Sequence, residues 1–206
     1  MPPYDVKRDL KRCYAPTNSE WALVDVPAQR FIAVDGRGDP NTDASYTRAV
    51  EALYSVAYTL KFTGRRALDR DFVVGPLEGL WWADTPEAFT TRAKHTWHWR
   101  MLISRPDWIT EELVEDARRA ALEKKSLPTI ADVRSESLNE GTSAQCLHIG
   151  PYDDEGPALA ELHGEYLAAH DLQMTGLHHE IYLSDPRRTD PARLRTILRQ
   201  PVRRRG

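Results

Sequence analysis

A weak internal repeat constrains the fold of this chain more than any other feature of its sequence. The stretch "AVDGRGDP" precedes a helical segment, the stretch "LHIGPYDD" precedes another, and each half then supplies further strand segments. Such a repeat indicates two related βαββ units packed together rather than a solenoid. We therefore predict one α+β domain over residues 1–206, with one half at about 20–105, a helical crossover at about 106–141 and a second half at about 142–206.

Hydrophobic periodicity places the main elements. The stretches "DASYTRAVEALYSVAYTLKF" and "TEELVEDARRAALEKK" have helical spacing, with Asp43 and Thr110 positioned as caps, and "EGPALAELHGEYLAAHDL" is a third helix. The stretches "FVVGPLEGLWWAD", "KHTWHWRMLIS" and "LHHEIYLSDP" are typical of strands. This order predicts helices on one side of a sheet and a concave ligand seam on the other side, where the two halves meet.

The last of these strands carries a carboxylate at its centre. Because side chains alternate along a strand, His179 and Ile181 point towards what looks like ordinary core, whereas His178, Glu180 and Tyr182 point the other way. Burial beside aromatic rings would raise the pKa of Glu180 and suit it to act as a general base near neutral pH. It would also suit Glu180 to pair with a cationic ligand. An exposed Glu on a solvated strand face is the other interpretation.

Six tryptophans are present, and five of them fall between residues 81 and 108. Large amphipathic rings in one region are typical either of a core or of a site that grips flat ligands. We expect some of them to line the seam beside Glu180. The candidate ligand-binding residues are Leu80, Trp82, Trp97, Trp99 and Met101 from the central strands, Tyr54 and Tyr58 from the first helix, and His178 from the last strand.

Composition excludes several classes of function. The net charge of −3 is too small to favour a nucleic-acid or membrane partner, and no apolar run approaches the roughly 20 residues that span a bilayer. Cys13 and Cys146 form neither a metal motif nor a disulfide framework, and "DGRGDP" lacks the third glycine of a phosphate cradle. We expect a cytoplasmic protein with a small-molecule partner, no metal and no cofactor. The oligomeric state is not predicted.

Several long blocks resemble one known family. The segments "VDVPAQRFIAVDGRGDPN", "PLEGLWW", "HIGPYDDEGPAL" and "HHEIYLSDPRR" are similar to those of stand-alone GyrI-like small-molecule-binding proteins, and the resemblance runs from about Lys7 to about Arg199. It implies two βαββ repeats related by a pseudo-twofold axis. It also implies that Glu180 matches a pocket Glu that meets cationic ligands among aromatic residues in drug-sensing regulators.

The resemblance further implies a chemistry, because some stand-alone members detoxify DNA-alkylating natural products by opening a cyclopropane ring with water. On that basis Glu180 would deprotonate the water, and Trp82 and Trp99 would stack on the flat drug. Tyr152 or Tyr182 would stabilise the developing phenolate oxygen. The alternative is a non-catalytic protein that binds or senses drugs. An inhibitory protein-interaction module is disfavoured, because the net charge of −3 provides no strongly acidic surface.

Overall fold

A nine-stranded sheet dominates the residues that the computed structural model describes, which are 2–17, 19–85 and 87–206. Paired strands are antiparallel throughout. The strands are β1 (Ala22–Val26), β2 (Gln29–Arg37), β3 (Leu77–Trp82), β4 (His98–Arg105), β5 (Arg134–Leu138), β6 (Gly141–Ile149), β7 (Leu172–Met174), β8 (His178–Tyr182) and β9 (Arg195–Arg204).

The strand order repeats on either side of the sheet's centre. It runs β1-β6-β9-β8-β3-β4-β2-β5, with β7 paired to β9. Outward from the central β8–β3 pair, each half presents its strands in the same succession, which places a pseudo-twofold axis between β3 and β8. The predicted α+β class with two βαββ repeats is confirmed. Each edge strand pairs with a strand that is not its neighbour in sequence: β1 pairs with β6, and β5 pairs with β2.

The helices begin where the sequence supplies caps. The Asp43 carboxylate accepts a hydrogen bond from the backbone N–H of Ser45 at 2.7 Å, and the Thr110 hydroxyl accepts one from Leu113 at 3.3 Å, as predicted. No helix in the described ranges has the length and apolar character needed to cross a membrane. The helices are α1 (Val6–Asp9), α2 (Lys11–Tyr14), α3 (Ala44–Leu68), α4 (Glu87–Thr90), α5 (Glu111–Lys124), α6 (Gly156–Glu161) and α7 (Leu167–Ala169), with a π turn at Leu162–Tyr166 between the last two.

One row of paired residues crosses the sheet beneath the helices. At one end of the row α3 buries Leu53 against the sheet, and at the other end the π turn and α7 bury Leu162 and Leu167. Full burial of one Leu side chain contributes roughly 1.5–3 kcal/mol, so both ends are firmly covered. Glu180 lies between them. The row consists of Val34, Met101, Gly79, Glu180, Leu198 and Cys146.

Glu180 therefore does not lie on the helix-free side of the sheet, where the ligand seam was predicted. Glu180 shares the face that carries α3 and α6, and the opposite face, with Ile181, is covered by the N-terminal helices through Val6 and Tyr14. The prediction assumed that the long helices would cover the purely apolar strand face. Instead these helices cover the two ends of the other face and leave a polar position between them.

Candidate functional site

Glu180 is largely removed from solvent at the centre of the sheet. Its side chain is 15% exposed, and its neighbours across the two strand pairings are Gly79 and Leu198. Gly79 is essential to this packing, because a Cβ there would lie 2.9 Å from Trp81 Nε1 and 3.2 Å from Tyr182 Oη. The absent side chain lets an indole and a phenol meet directly above the strand.

A chain of hydrogen bonds ends on the Glu180 carboxylate. Trp81 Nε1 donates to Tyr182 Oη at 3.0 Å, and Tyr182 Oη donates to Glu180 Oε2 at 2.7 Å. His178 Nε2 lies 3.4 Å from Glu180 Oε1. Burial and the charge of Glu180 raise the pKa of Tyr182 well above its usual value. Tyr182 is therefore a neutral phenol whose hydroxyl proton is already donated to the Glu180 carboxylate in a hydrogen bond.

Aromatic rings extend away from this carboxylate. Tyr46, near the start of α3, stacks on Trp81 with ring centroids 6.3 Å apart and meets Trp99 edge-on at 5.3 Å. Trp97 meets Trp81 edge-on at 5.9 Å. Burial and the charge of Glu180 raise the pKa of Tyr46. Trp81 and Trp99 are buried, so these offset and edge-on rings form a packed aromatic cluster next to the site.

A second carboxyl group approaches from the start of α6. Glu155 is 6% exposed, and within the described residues its Oε1 atom and the Thr196 hydroxyl are buried without a hydrogen-bond partner. Thr196 pairs with Tyr182 across β8 and β9, so its side chain is on the same face as Glu180. Burial, followed by the charge of Glu180, raises the pKa of Glu155 to about 10. Glu155 is therefore held in its protonated form near neutral pH.

The structure brings only part of the predicted site together. Tyr182 and His178 contact Glu180, and Tyr152 meets Tyr182 edge-on with centroids 5.5 Å apart. Tyr152 is 37% exposed, which places it at the rim. Trp97 reaches the site through Trp81.

Other predicted residues lie elsewhere. Trp82 stacks on His98 on the opposite face of the sheet, and Leu80 is buried on that face beside Leu102. Trp99 and Met101 share the face of Glu180 but are fully buried in the core under α3. On α3, Tyr54 and Tyr58 stack on each other with centroids 6.3 Å apart, and the second of them is 51% exposed.

Sequence reasoning missed three residues of the site. Trp81 was passed over for its neighbour Trp82 because the register of β3 against β8 cannot be read from sequence. Tyr46 occupies a position with helical spacing in "DASYTRAVEALYSVAYTLKF", and that spacing gives no sign of a site. Glu155 closes the acidic turn "YDDEG", where it looks like an ordinary turn residue. One sequence signal was usable: Trp81 follows Gly79 by two residues, so the two positions lie on the same face of the strand.

The opposite face of the same strand holds a buried ionic network instead of ordinary core. His179 Nδ1 lies 2.9 Å from Glu140 Oε1, and His179 Nε2 lies 3.0 Å from Glu78 Oε2. Arg199 donates to Glu140 Oε2 at 2.9 Å, and Tyr14 Oη donates to Glu78 Oε1 at 3.0 Å. Two carboxylates thus face one imidazolium and one guanidinium, which balances the charge of the cluster.

This network makes stability depend on pH. Burial opposes the imidazolium of His179, but Glu140 and Glu78 outweigh burial and raise its pKa to about 9, above the roughly 6.5 of an unfolded chain. His179 therefore stabilises the fold fully below about pH 6.5, and this stabilisation disappears as the pH rises through about 9. We expect the free energy of unfolding, measured with urea, to fall by about 3 kcal/mol across that window.

The measurement needs a background in which Glu155 does not titrate, because a buried carboxyl with a raised pKa lowers stability over the same range. Glu155→Gln provides this background. The matched control is His95→Gln, which changes an exposed histidine and leaves the slope unchanged. A flat stability profile between about pH 6.5 and 9 would show that His179 is neutral in the fold.

A cavity of about 440 Å³ between α5 and β5 is a weaker candidate site. Both arginines of its lining already have carboxylate partners. Arg118 pairs with Glu115 at 2.5 Å and donates to the carbonyl of Ala131 at 2.8 Å, and Arg134 pairs with Asp35 at 3.0 Å. Exposed ion pairs of this kind contribute little to stability, and they engage the two arginines that would otherwise be available to an anionic ligand. Within the described residues, the region around Glu180 combines burial, aromatic rings and a carboxyl, Glu155, whose pKa is raised.

A buried acid among aromatic rings, between two helices of a two-repeat antiparallel sheet, defines a small-molecule-binding domain of the α+β class. The model of the GyrI-like small molecule binding domain matches residues 20–203, and the chain belongs to this family. No curated protein matches it significantly.

Solved structures extend this result. An uncharacterized conserved protein from Listeria innocua is 38% identical with a TM-score of 0.88, over 97% of this chain and 100% of that one. A hydrolase from Listeria innocua is 37% identical with a TM-score of 0.83, over the same shares of the two chains. The EcmrR C-terminal domain is 13% identical with a TM-score of 0.59, over 90% of this chain and 98% of that one, and this likeness shows a common fold.

Proposed function

We propose that this protein binds flat hydrophobic small molecules beside Glu180 and hydrolyses DNA-alkylating toxins that carry a cyclopropane ring, thereby protecting the cell. The observation that supports this most is the state of Glu180. Its side chain is 15% exposed, accepts a hydrogen bond from Tyr182 and lies next to a packed aromatic cluster. A carboxylate so placed serves better as a base for water than as a solvated surface charge.

The relatives favour a hydrolase. Two structures from Listeria innocua that are described as hydrolases are 37% and 36% identical to this chain and match 97% and 98% of it. Water addition to a strained, electron-poor cyclopropane needs only modest help, because the substrate is already reactive. A well-placed general base contributes about 10²–10⁴-fold, which suffices for such a substrate.

The geometry supports a role for each residue near Glu180. Trp81, which is linked to the acid through Tyr182, and Tyr46, which stacks on Trp81, would take the stacking role expected of Trp82 and Trp99. Glu180 would take a proton from the attacking water. Tyr182 would hold the carboxylate in place, since it donates to Glu180 and accepts from Trp81.

Non-catalytic drug binding is the second candidate. The observation in its favour is that the Glu180 carboxyl, linked to Trp81 through Tyr182, is also a good environment for an organic cation. A protein of this kind would sequester or sense drugs without changing them. It would bind flat cations at least as tightly as neutral molecules of the same shape.

Turnover separates the two candidates. The protein should be titrated with a panel of flat aromatic drugs while tryptophan fluorescence is followed, because Trp81 and Trp97 lie near the proposed ligand. Each ligand that quenches is then incubated in excess. A cyclopropane-fused dienone should yield a hydrated, ring-opened product well beyond one equivalent. Strong quenching without any product would leave drug binding as the function.

A further inference from the structure

The proposed hydrolysis needs a proton delivered as well as a proton removed. When water adds to the cyclopropane carbon, a C–O bond forms and a ring C–C bond breaks. The electron pair of the broken bond moves through the conjugated ring to the carbonyl oxygen, which becomes a phenol only after it gains a proton. Glu180 accounts for the proton that leaves the water, but not for the proton that the oxygen receives.

The tyrosines near Glu180 are poorly suited to supply that proton, and burial followed by the charge of Glu180 raises the pKa of Tyr46. The hydroxyl proton of Tyr182 is already donated to Glu180 at 2.7 Å, and burial beside this carboxylate makes its loss unfavourable. Tyr152 lies at the rim, where 37% of the residue is exposed. A donor inside the site must be buried, carry a proton at neutral pH and have a free polar atom.

Glu155 satisfies these conditions. It is 6% exposed at the start of α6, and its Oε1 atom has no hydrogen-bond partner among the described residues. The neighbouring Thr196 hydroxyl on β9, also buried without a partner, lies on the sheet face of Glu180. An unpartnered carboxyl oxygen is costly to bury unless the group is neutral or meets a ligand.

The surroundings divide the two carboxyls into a base and an acid. Two carboxyls in one desolvated site do not both ionise, and hydrogen-bond donors decide which one does. Glu180 Oε2 accepts a hydrogen bond from the Tyr182 hydroxyl, whereas Glu155 Oε1 has no partner within the described residues, and the hydrogen-bonding influence of the Thr196 hydroxyl on Glu155 is outweighed by burial. The raised pKa of Glu155, about 10, agrees with this division.

We propose that Glu155 is the proton donor of the reaction, passing its carboxyl proton to the carbonyl oxygen while Glu180 takes a proton from the attacking water. This inference rests on the proposed function. After one turnover Glu155 is ionised and Glu180 is protonated, and a proton returned from solvent to Glu155 and released from Glu180 restores the starting state. No further reactant is required.

Several groups besides Glu180 face Glu155 and set the pH at which it loses its proton. Burial is the largest influence, followed by the charge of Glu180, and both favour the protonated form, whereas the Thr196 hydroxyl and Lys94 oppose it. The titratable and charged groups that face Glu155 are Glu180 and Tyr182 from β8, Cys146 from β6, Tyr152 and Asp153 from the turn before α6, and Lys94 from the segment before β4.

The test is Glu155→Gln, which keeps the shape of the side chain and cannot donate a carboxylic proton. With a cyclopropane-fused dienone as substrate, kcat should fall about 100-fold while KM stays within about 3-fold. The wild-type rate should decline at high pH as Glu155 ionises, and this alkaline limb should be missing in the variant. Glu161→Gln, which changes an exposed glutamate on the same helix, is the matched control and should retain the wild-type profile.

Thermal unfolding gives a reading that does not depend on activity. The Tm of the wild type should fall from about pH 5 to about pH 8 more steeply than that of Glu155→Gln, because only the wild type buries a proton that its unfolded chain releases. If the wild type is active and Glu155→Gln is equally active, the donor role of Glu155 is excluded and the proposed function stands. A wild type without turnover would defeat the proposed function, and equal Tm slopes would show that Glu155 is not held protonated.

Discussion

Glu180→Gln should abolish turnover of a cyclopropane-fused dienone while leaving its binding within a few-fold. The amide keeps the size of the side chain and can still accept the hydrogen bond from Tyr182, so the aromatic cluster around Trp81 should keep its shape. What disappears is the capacity to take a proton from water. We expect kcat to fall by about 10²–10⁴-fold, measured by product formation at saturating substrate.

Binding by the same variant separates the two candidate functions. The fluorescence quench by a neutral flat ligand should be nearly unchanged, whereas a flat organic cation should bind more weakly because its counter-charge is gone. Glu165→Gln, an exposed glutamate in the π turn, is the control and should behave as wild type in both assays. Undiminished turnover by Glu180→Gln would remove Glu180 from the chemistry and leave the hydrolase proposal without its base.

Arg199→Met should be the most destabilising of the substitutions considered. Arg199 is fully buried and donates to Gln145 Oε1 at 3.1 Å, Glu140 Oε2 at 2.9 Å and the carbonyl of Cys13 at 2.7 Å. Methionine fills much of the same volume but leaves the Glu140 carboxylate without its guanidinium partner. Removing one member of a buried ion pair costs about 3–5 kcal/mol, which urea unfolding should show as a lower midpoint.

A double-mutant cycle tests whether this cost comes from the ion pair. Glu140→Gln should be destabilising alone, and the double variant with Arg199→Met should lose less than the sum of the two single losses, because the surviving unpaired charge is gone. Arg195→Met, at an exposed position of the same strand, should change stability by less than about 0.5 kcal/mol. Additive losses, or a near-normal Arg199→Met, would mean that the network contributes little to stability.

The two faces of β8 explain why these substitutions act so differently. Glu180 points into the gap between two helix-covered cores, whereas the adjacent His179 points to the ionic network behind the sheet. Through the carbonyl of Cys13 and the hydroxyl of Tyr14, that network also holds the N-terminal segment against the sheet. A rigid strand supported from behind holds a catalytic or binding carboxylate more accurately than a loop does.

The architecture could be predicted because it depends on local signals. Period-2 and period-3.6 patterns located the central strands and the helices, and the caps at Asp43 and Thr110 were readable as residue types at the right offset. The similar order of segments in the two halves of the sequence predicted two similar units. Family resemblance then supplied the pseudo-twofold relation and singled out Glu180.

The composition of the site could not be predicted, because it depends on register and on which face each helix covers. A shift of one residue exchanges Trp81 for Trp82, and nothing local to "LEGLWW" decides between them. Glu155 enters the site only because the start of α6 lies over β9, next to Thr196. Thr196 lies far from Glu155 in sequence, so this proximity cannot be read from local pattern.

The sequence alone determined that the chain forms an α+β domain of two related halves with an acid on its last central strand, since side-chain periodicity and chain order are local properties. Only the tertiary structure decided that this acid lies on the helical face, among Tyr46, Trp81 and Tyr182 and near Glu155, and that His179 belongs to a charged network. The physical reason is that burial and electrostatic pairing depend on distances between segments, and these distances exist only once the sheet has assembled.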